Sequence, residues 1–270
     1  KAARLTGDNT SLLKYTTKVL VTDACSEICL ELGEYFLDNN DNEEAIVWFY
    51  NAAYETEPIL DIASQGKAPR LGLAQCYANI AKELGTNIAT THIGVVPEDK
   101  NHERYKILQE ACHELAMYAD SVGAKFAIET GPERSIVLKE FLDSLGSTGV
   151  SVNLDPANLV MVTGDDPVQA VHNLKDYIVH THAKDGVMLH RGNPEYIYGV
   201  VHPVPEEFQG IQYFAEVPLG QGNVHFDTYL AALDEIGYKG FLTIERECGE
   251  DPAADIGIAV EHLKKSMAGR

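Results

Sequence analysis

Basic residues are scarce in this sequence. The chain of 270 residues contains 21 Lys or Arg and 41 Asp or Glu, which gives a formal net charge of −20. A protein surface of that sign repels the phosphate groups of nucleic acids and the headgroups of anionic lipids. The charge therefore argues against nucleic-acid and membrane partners.

Long apolar runs and paired cysteines are missing as well. No run approaches the ~20 consecutive apolar residues of a membrane-spanning helix. The first residues also lack the charged-then-apolar pattern of a signal sequence. The cysteines number five, an odd count without a Cys-x-x-Cys pair, which is typical of free thiols in a reducing compartment. We therefore expect a cytoplasmic protein.

The segment of residues 1–84 differs in pattern from the rest of the chain. Apolar residues recur at helical spacing over 23–37 and again over 45–53, with a polar turn between the two runs. Small side chains at Gly33 and Ala45 would let two antiparallel helices approach closely. We therefore predict a helical domain over this segment, with an antiparallel hairpin at its centre.

A second interpretation makes the same segment part of a βα fold. The runs at 18–22 and 45–50 are short and apolar, and periodicity alone does not separate such runs into helices and strands. Each would then be a strand followed by a helix, which would give two cryptic βα units. The helical interpretation accounts for more positions, because it also explains the spacing of the small residues.

Residues 85–270 alternate between predicted strands and predicted helices. The strands are expected at 87–92, 125–129, 150–155, 177–182 and 240–245, and the helices at 102–121, 135–145, 166–174, 226–236 and 253–267. Such alternation is typical of parallel βα units. We therefore predict an α/β fold, a TIM-barrel-like domain preceded by the helical segment.

Four of the predicted strands end in a residue that can bind a metal ion. These residues are Glu129, Asp155, His182 and Glu245. The carboxyl ends of parallel strands meet on one face of a barrel, so the four side chains should converge around one point. Three carboxylates and one imidazole suit Mn²⁺, Mg²⁺ or Co²⁺, and Zn²⁺ also accepts such a set.

Each of these residues also has a simpler interpretation. A carboxylate directly after a strand commonly caps the helix that follows. His180 shares a face of its strand with His182, because side chains two positions apart point the same way. We choose His182 as the ligand because it lies nearer the strand end. Four metal-binding residues at four strand ends favour one metal site over four unrelated caps.

Five motifs in this region resemble those of the xylose-isomerase-like TIM-barrel superfamily. In chain order they are Thr91-His92-Ile93-Gly94, Ile128-Glu129-Thr130-Gly131, Asn153-Leu154-Asp155-Pro156-Ala157-Asn158, His180-Thr181-His182-Ala183-Lys184-Asp185 and Ile244-Glu245-Arg246. That superfamily contains sugar-phosphate isomerases and epimerases, ketose 3-epimerases, inosose dehydratases and the endonuclease IV type. The resemblance implies a divalent metal bound by the four strand-end residues.

The resemblance also implies roles for individual residues. Glu129 and Glu245 would move protons on opposite faces of the substrate, with the metal stabilising an enediolate. His92, Asn158 and Lys184 are candidate substrate contacts. Ketose 3-epimerases usually carry a histidine at the position of Asn158, so this residue argues against a close ketose epimerase.

The barrel's usual first two βα units are not recognisable in residues 1–84. The spacing of small and aromatic residues over 32–52 instead resembles the tetratricopeptide hairpin, as in the helical part of some bacterial glycosyltransferases. A barrel without two strands would expose two sheet edges. Three alternatives follow: the segment supplies cryptic strands, helices and a partner subunit of a homo-oligomer cover the gap, or the chain is a fusion with impaired activity.

The leading functional hypothesis is a divalent-metal-dependent sugar or sugar-phosphate isomerase or epimerase. A metal-dependent polyol dehydratase would use the same site to expel a β-hydroxyl. A DNA-repair endonuclease would need more metal-binding histidines and a basic face. A hypothesis from a different functional class is that the protein is not an enzyme and serves as a platform that recruits a partner through its helical repeat. The expected ligand of the enzyme is a small sugar or polyol.

Overall fold

The computed structural model of this protein describes residues 25–54, 67–198 and 203–268. The chain divides into two compact units, one of Lys1–Ala89 with Met117–Ala124 and the other of Thr90–Ala116 with Lys125–Arg270. Within the described residues, no helix combines the length and apolarity needed to cross a membrane. The strand considered at 18–22 lies outside the described residues.

Among the residues that the structure describes, the N-terminal part of the first unit includes the helices α1 (Cys25–Asp38), α2 (Asn42–Tyr54) and α3 (Lys67–Glu83). Phe49 of α2 is fully buried, and a Cβ at Gly33 of α1 or at Gly72 of α3 would collide with its ring. Two glycines therefore let the Phe49 ring pack between their helices. The predicted hairpin is confirmed.

The alternative in which 45–50 forms a strand is wrong. These residues lie in α2, where Ala45 and Phe49 are one helical turn apart and share a buried cluster with Cys76. The helix is favoured because its buried positions recur every three to four residues, as a helix packed on one face requires. In a strand, Val47 would lie on the same face as Ala45 and Phe49, but its side chain is 51% exposed.

Within the described residues, the strands are β1 (Ile88–Thr91), β2 (Lys125–Glu129), β3 (Val150–Leu154), β4 (Ile178–Ala183), β5 (Asp185–Met188), β6 (Phe214–Val217) and β7 (Leu242–Ile244). Five of them form one sheet in the order β1-β2-β3-β4-β7. The pairs β2–β3, β3–β4 and β4–β7 are parallel, whereas β5 and β6 pair antiparallel in a separate small sheet. The α/β prediction is confirmed, and the five-stranded sheet corresponds to an incomplete TIM barrel.

Helices alternate with the strands of this sheet. They are α4 (Glu103–Val122), α5 (Ser135–Leu145), α6 (Pro156–Asn158), α7 (Pro167–Leu174), α8 (Pro194–Ile197), α9 (Phe226–Glu235) and α10 (Pro252–Met267). A π-helical turn (Leu159–Thr163) follows α6, and a 3-10 turn lies at Glu206–Phe208. The start of α7 shows why these boundaries are sharp: Asp166 accepts a hydrogen bond from the Val168 N–H, and Pro167 occupies the first turn.

The core of the second unit lies between the sheet and its outer helices. Every residue of β3 is buried, and Leu138, Phe141 and Leu142 of α5 are 0–1% exposed. Thr181 of β4 points to the other side of its strand from His182 and hydrogen-bonds the hydroxyl of the buried Tyr229 on α9. Packing on this scale fixes the carboxyl ends of β2, β3 and β4, where the candidate site lies.

Candidate active site

The strand ends bring the four predicted metal ligands together. Glu129 is the last residue of β2, Asp155 follows β3, His182 lies near the end of β4, and Glu245 follows β7. One ligand atom from each residue lies within 4.8 Å of the ligand atoms of the other three. Glu129, Asp155 and His182 are buried, and Glu245 is partly buried.

The imidazole of His182 is the centre of this group. Its Nδ1 lies 3.2 Å from Asp155 Oδ2, 3.3 Å from Glu245 Oε2 and 3.7 Å from Glu129 Oε1. Three carboxylate oxygens and one imidazole nitrogen are a donor set that hard and borderline divalent cations accept. The four residues therefore fit a divalent metal ion.

Burial and neighbouring charges move the pKa values of these groups in different directions. Burial lowers the pKa of His182, but hydrogen bonds to Asp155 and Glu245 outweigh it and raise the value to about 10. Burial raises the pKa of Glu129, against the opposing charge of His182. The hydrogen bond from His182, followed by that from Lys184, lowers the pKa of Glu245 to about 2 despite its partial burial. The two candidate proton carriers thus have different electrostatic surroundings.

Asp155 serves both the cluster and the following helix. Its Oδ1 accepts a hydrogen bond from the backbone N–H of Asn158 at 3.0 Å, which caps α6, while its Oδ2 faces His182. Its backbone is tied to β2, because Thr130 Oγ1 accepts from the Asp155 N–H at 2.8 Å and lies 2.9 Å from its carbonyl oxygen. The helix-cap interpretation and the ligand interpretation therefore apply to different oxygens of one residue.

Two asparagines hold the carboxylate of Glu129. Asn153 donates to Glu129 Oε2 at 3.2 Å and lies 3.1 Å from His182 Nε2. Asn158 donates to Glu129 Oε1 at 3.1 Å. Sequence reasoning assigned no role to Asn153. The sequence did contain a signal for it: Asn153 is a polar residue within an apolar strand. It lies two positions before Asp155, and side chains two positions apart share one face of a strand.

The remaining predicted site residues occupy different surroundings. His92 Nε2 lies 3.6 Å from Glu129 Oε2, and its side chain is 72% exposed. Lys184 is buried, and its Nζ lies 2.8 Å from carboxylate oxygens of Glu245 and Glu247. His180 stays out of the cluster, since its Nε2 hydrogen-bonds Thr243 Oγ1 at 2.9 Å.

A cavity opens beside the cluster. Its volume of about 720 Å³ lies in the range of small-molecule sites. His92, Glu129, Asn158 and Lys184 line its wall, as do residues from the small β5–β6 sheet, including Glu216. Glu129 is the member of the cluster that lines this cavity, so the cluster borders a space that a small polar ligand can fill.

The Asp185 carboxylate organises the loop that follows β6. Its Oδ1 accepts from the N–H groups of Gly186 at 2.9 Å and Val224 at 3.0 Å, and its Oδ2 accepts from those of Gly220 and Gly222, both at 2.9 Å. A Cβ at Gly222 would collide with this carboxylate. Gly220 and Gly222 lie more than thirty residues from Asp185 along the chain, so no local sequence pattern links them to this carboxylate.

Comparisons with known proteins place these features in context. A family model described as xylose isomerase-like TIM barrel matches residues 63–266. The chain is 24% identical over 230 residues to an inosose dehydratase of Clostridium beijerinckii, covering 80% of this chain and 72% of that protein. It also matches an inosose dehydratase of Clostridium perfringens, of which it spans 50%.

Solved structures show the same fold. A xylose isomerase domain protein from Planctomyces limnophilus superposes with a TM-score of 0.61 at 31% identity, covering 74% of this chain and 66% of that one. A D-tagatose 3-epimerase-like protein superposes with a TM-score of 0.56 at 21% identity, covering 86% and 85%. The comparisons give no support to the tetratricopeptide resemblance, and the family match starts at residue 63, inside the predicted helical segment.

Proposed function

The chain belongs to the xylose isomerase-like TIM-barrel family, and we propose that it is a divalent-metal-dependent isomerase or epimerase of a sugar or sugar phosphate. The observation that carries the proposal is the meeting of Glu129, Asp155, His182 and Glu245 beside a cavity of about 720 Å³. Four helix caps would not need to converge, whereas the ligands of a single ion must.

The four clustered residues would hold the ion. When bound, a divalent cation supplies Lewis-acid chemistry: it polarises a carbonyl and its neighbouring hydroxyl and stabilises the negative charge of an enediolate. Everything else in the reaction falls to side chains of the chain. A carboxylate within hydrogen-bond reach of the substrate can remove the proton next to the carbonyl and return it to a different position or face.

Glu129 and Glu245 are the proposed proton carriers. Glu129 ends β2 and Glu245 follows β7, and these two strands lie on opposite sides of β4 in the sheet. We therefore expect the two carboxylates to approach a bound substrate from different directions. Asn153 and Asn158 hold the Glu129 carboxylate in place, and Lys184 holds that of Glu245. Fixed carboxylates lose less entropy in the transition state than mobile ones.

The test is solvent-deuterium exchange with Mn²⁺-loaded protein and candidate ketoses, aldoses and their phosphates. Wild-type protein should incorporate deuterium next to the carbonyl of at least one compound. Glu129→Gln and Glu245→Gln should slow the exchange more than they weaken metal binding, since each loses the group that carries the proton. Asp155→Asn should weaken metal binding first, because that residue has no proposed proton-transfer role.

A matched control separates these effects from a general loss of charge. Glu207→Gln makes the same change at an exposed carboxylate on the 3-10 turn, and it should leave both metal binding and exchange unchanged. If Glu245→Gln exchanges deuterium at the wild-type rate, the assignment of Glu245 fails. If no carbonyl compound exchanges a proton while the metal is bound, the proposed reaction fails.

A metal-dependent polyol dehydratase is the second candidate. Two observations favour it: the inosose dehydratase relatives, and Asn158 at the position where ketose 3-epimerases usually carry a histidine. The same proton abstraction would then be followed by loss of the β-hydroxyl as water. Proton NMR of the exchange reactions distinguishes the two, because a dehydratase yields a product with one hydroxyl fewer.

A further inference from the structure

The charged side chains that line the cavity are mostly carboxylates. Glu129, Glu216 and Glu247 line it, and Lys184 is the only Lys or Arg among the lining residues that the structure describes. The carboxylate of Glu245 lies 2.8 Å from Lys184 Nζ. An anionic ligand entering this space would meet like charge at short range.

The ammonium group of Lys184 is already engaged. Its Nζ donates to Glu245 Oε2 and Glu247 Oε2, both at 2.8 Å, and lies 3.7 Å from Glu216 Oε2. The side chain is only 5% exposed. Since an ammonium has three N–H donors, two strong bonds leave one for a ligand. Lys184 therefore neutralises the chain's own carboxylates instead of offering a free positive charge.

Arg246, the next residue after Glu245, is engaged in the same way. Arg246 donates to Glu216 Oε1 and to Asp255 Oδ2, both at 2.7 Å, and its side chain is 8% exposed. A guanidinium fixed between two carboxylates has little free charge for a phosphate. Neighbouring carboxylates of the chain, including that of Glu216 on β6, thus engage the positive charges of both Lys184 and Arg246.

The glycine loop after β6 does not offer a phosphate cradle either. Backbone N–H groups of such loops commonly bind phosphate. Here the N–H groups of Gly220, Gly222 and Val224 all donate to the carboxylate of Asp185. The Asp185 carboxylate thus occupies the position in which a phosphate group would accept these hydrogen bonds.

We infer that the substrate of this cavity is an uncharged polyhydroxy carbonyl compound, without a phosphate or carboxylate group. Carboxylate oxygens accept hydrogen bonds and cannot donate them, so a wall of carboxylates matches a ligand that is rich in hydroxyl donors. Asn158 and the remaining N–H of Lys184 can donate to its oxygens. This inference rests on the proposed function, because it names the substrate class of the same site.

The test compares neutral compounds with phosphate esters on the Mn²⁺-loaded protein. D-fructose, D-tagatose and inosose are titrated by calorimetry alongside D-fructose 6-phosphate and D-tagatose 6-phosphate, and each is then assayed for deuterium exchange. At least one neutral compound should bind about tenfold or more tightly than either ester. The inference is overturned if an ester binds as tightly as the best neutral compound, or if no neutral compound binds.

A variant tests the electrostatic cause. Glu247→Gln removes one cavity charge and replaces the charged partner of Lys184 with a neutral amide. The affinity for the esters relative to the neutral compounds should therefore rise at least about threefold. Glu207→Gln removes an equal charge outside the lining and should leave that ratio unchanged. An unchanged ratio in Glu247→Gln would contradict the inference. Neutral binding without deuterium exchange in any compound would instead overturn the proposed reaction and leave the substrate class standing.

Discussion

Replacing Asp185 by Asn should destabilise the protein strongly. Each oxygen of this carboxylate accepts two backbone N–H groups, and the side chain is 1% exposed. Whichever oxygen becomes the amide nitrogen, two N–H donors then face another donor. Hydrogen bonds to a charged group contribute about 1.5–3 kcal/mol each, so the loss of two should cost at least about 3 kcal/mol of unfolding free energy.

The assay for this prediction is urea unfolding followed by circular dichroism, with amide hydrogen exchange of residues 220–224 as a local measurement. Asp185→Asn should lower the unfolding free energy by the amount above and speed exchange in the loop. Asp176→Asn makes the same change at an exposed aspartate and should stay within about 0.5 kcal/mol of wild type. If Asp185→Asn is as stable as that control, the four hydrogen bonds do not anchor the loop and the reasoning is refuted.

Two further predictions concern buried residues away from the cluster. Phe49→Ala should destabilise the helices of the first unit by about 3–5 kcal/mol, because the Phe49 ring fills the space above two glycines. Urea unfolding followed by Trp48 fluorescence checks this prediction. An unfolding midpoint equal to that of the wild type would contradict it. Burial raises the pKa of Glu133 from 4.5 to about 8, so the folded state holds a proton that the unfolded state releases, and stability should fall as the pH rises from 4.5 to 8. Glu133→Gln should reduce that fall, as measured by thermal unfolding at several pH values; an identical pH dependence would show that Glu133 does not cause it.

The strand-end pattern could be predicted from sequence because it is a local signal repeated along the chain. Each parallel strand is recognisable in the sequence as a short apolar run. In a parallel βα fold the carboxyl ends of the strands lie on one face, so the residue that ends each strand lies on that face. Glu129, Asp155, His182 and Glu245 meet for that reason, and the same alternation located the helices between the strands. Their roles as ligands and proton carriers stay predictions that the proposed experiments test.

What the sequence could not reveal are pairings between distant positions. Lys184 contacts Glu216 and Glu247, and Asp185 binds the loop at 220–224. In each case the partners are separated by more than thirty positions along the chain. No periodicity links such residues. Sequence reasoning therefore treated Lys184 as a substrate contact and missed β5 and β6, which are short and belong to a separate sheet.

The N-terminal segment illustrates the limits of a local resemblance. The small-residue spacing correctly predicted a helical hairpin, because Gly33 and Phe49 fit each other across two helices. The spacing did not identify the family, since any close pair of helices needs small residues at its contact. That helices and a partner subunit of a homo-oligomer cover the gap in the barrel stays one of the alternatives, and the domain boundary near residue 85 stays a prediction.

The most direct test of the central claim is the position of a metal ion in crystals of the Mn²⁺-loaded protein, located by anomalous scattering. We expect a single strong peak within about 2.0–2.6 Å of oxygen atoms of Glu129, Asp155 and Glu245 and of a ring nitrogen of His182. The peak should disappear in Asp155→Asn crystals grown in the same way. A peak elsewhere, or none at saturating Mn²⁺ with the four side chains still clustered, would contradict the assignment of this cluster as the metal centre.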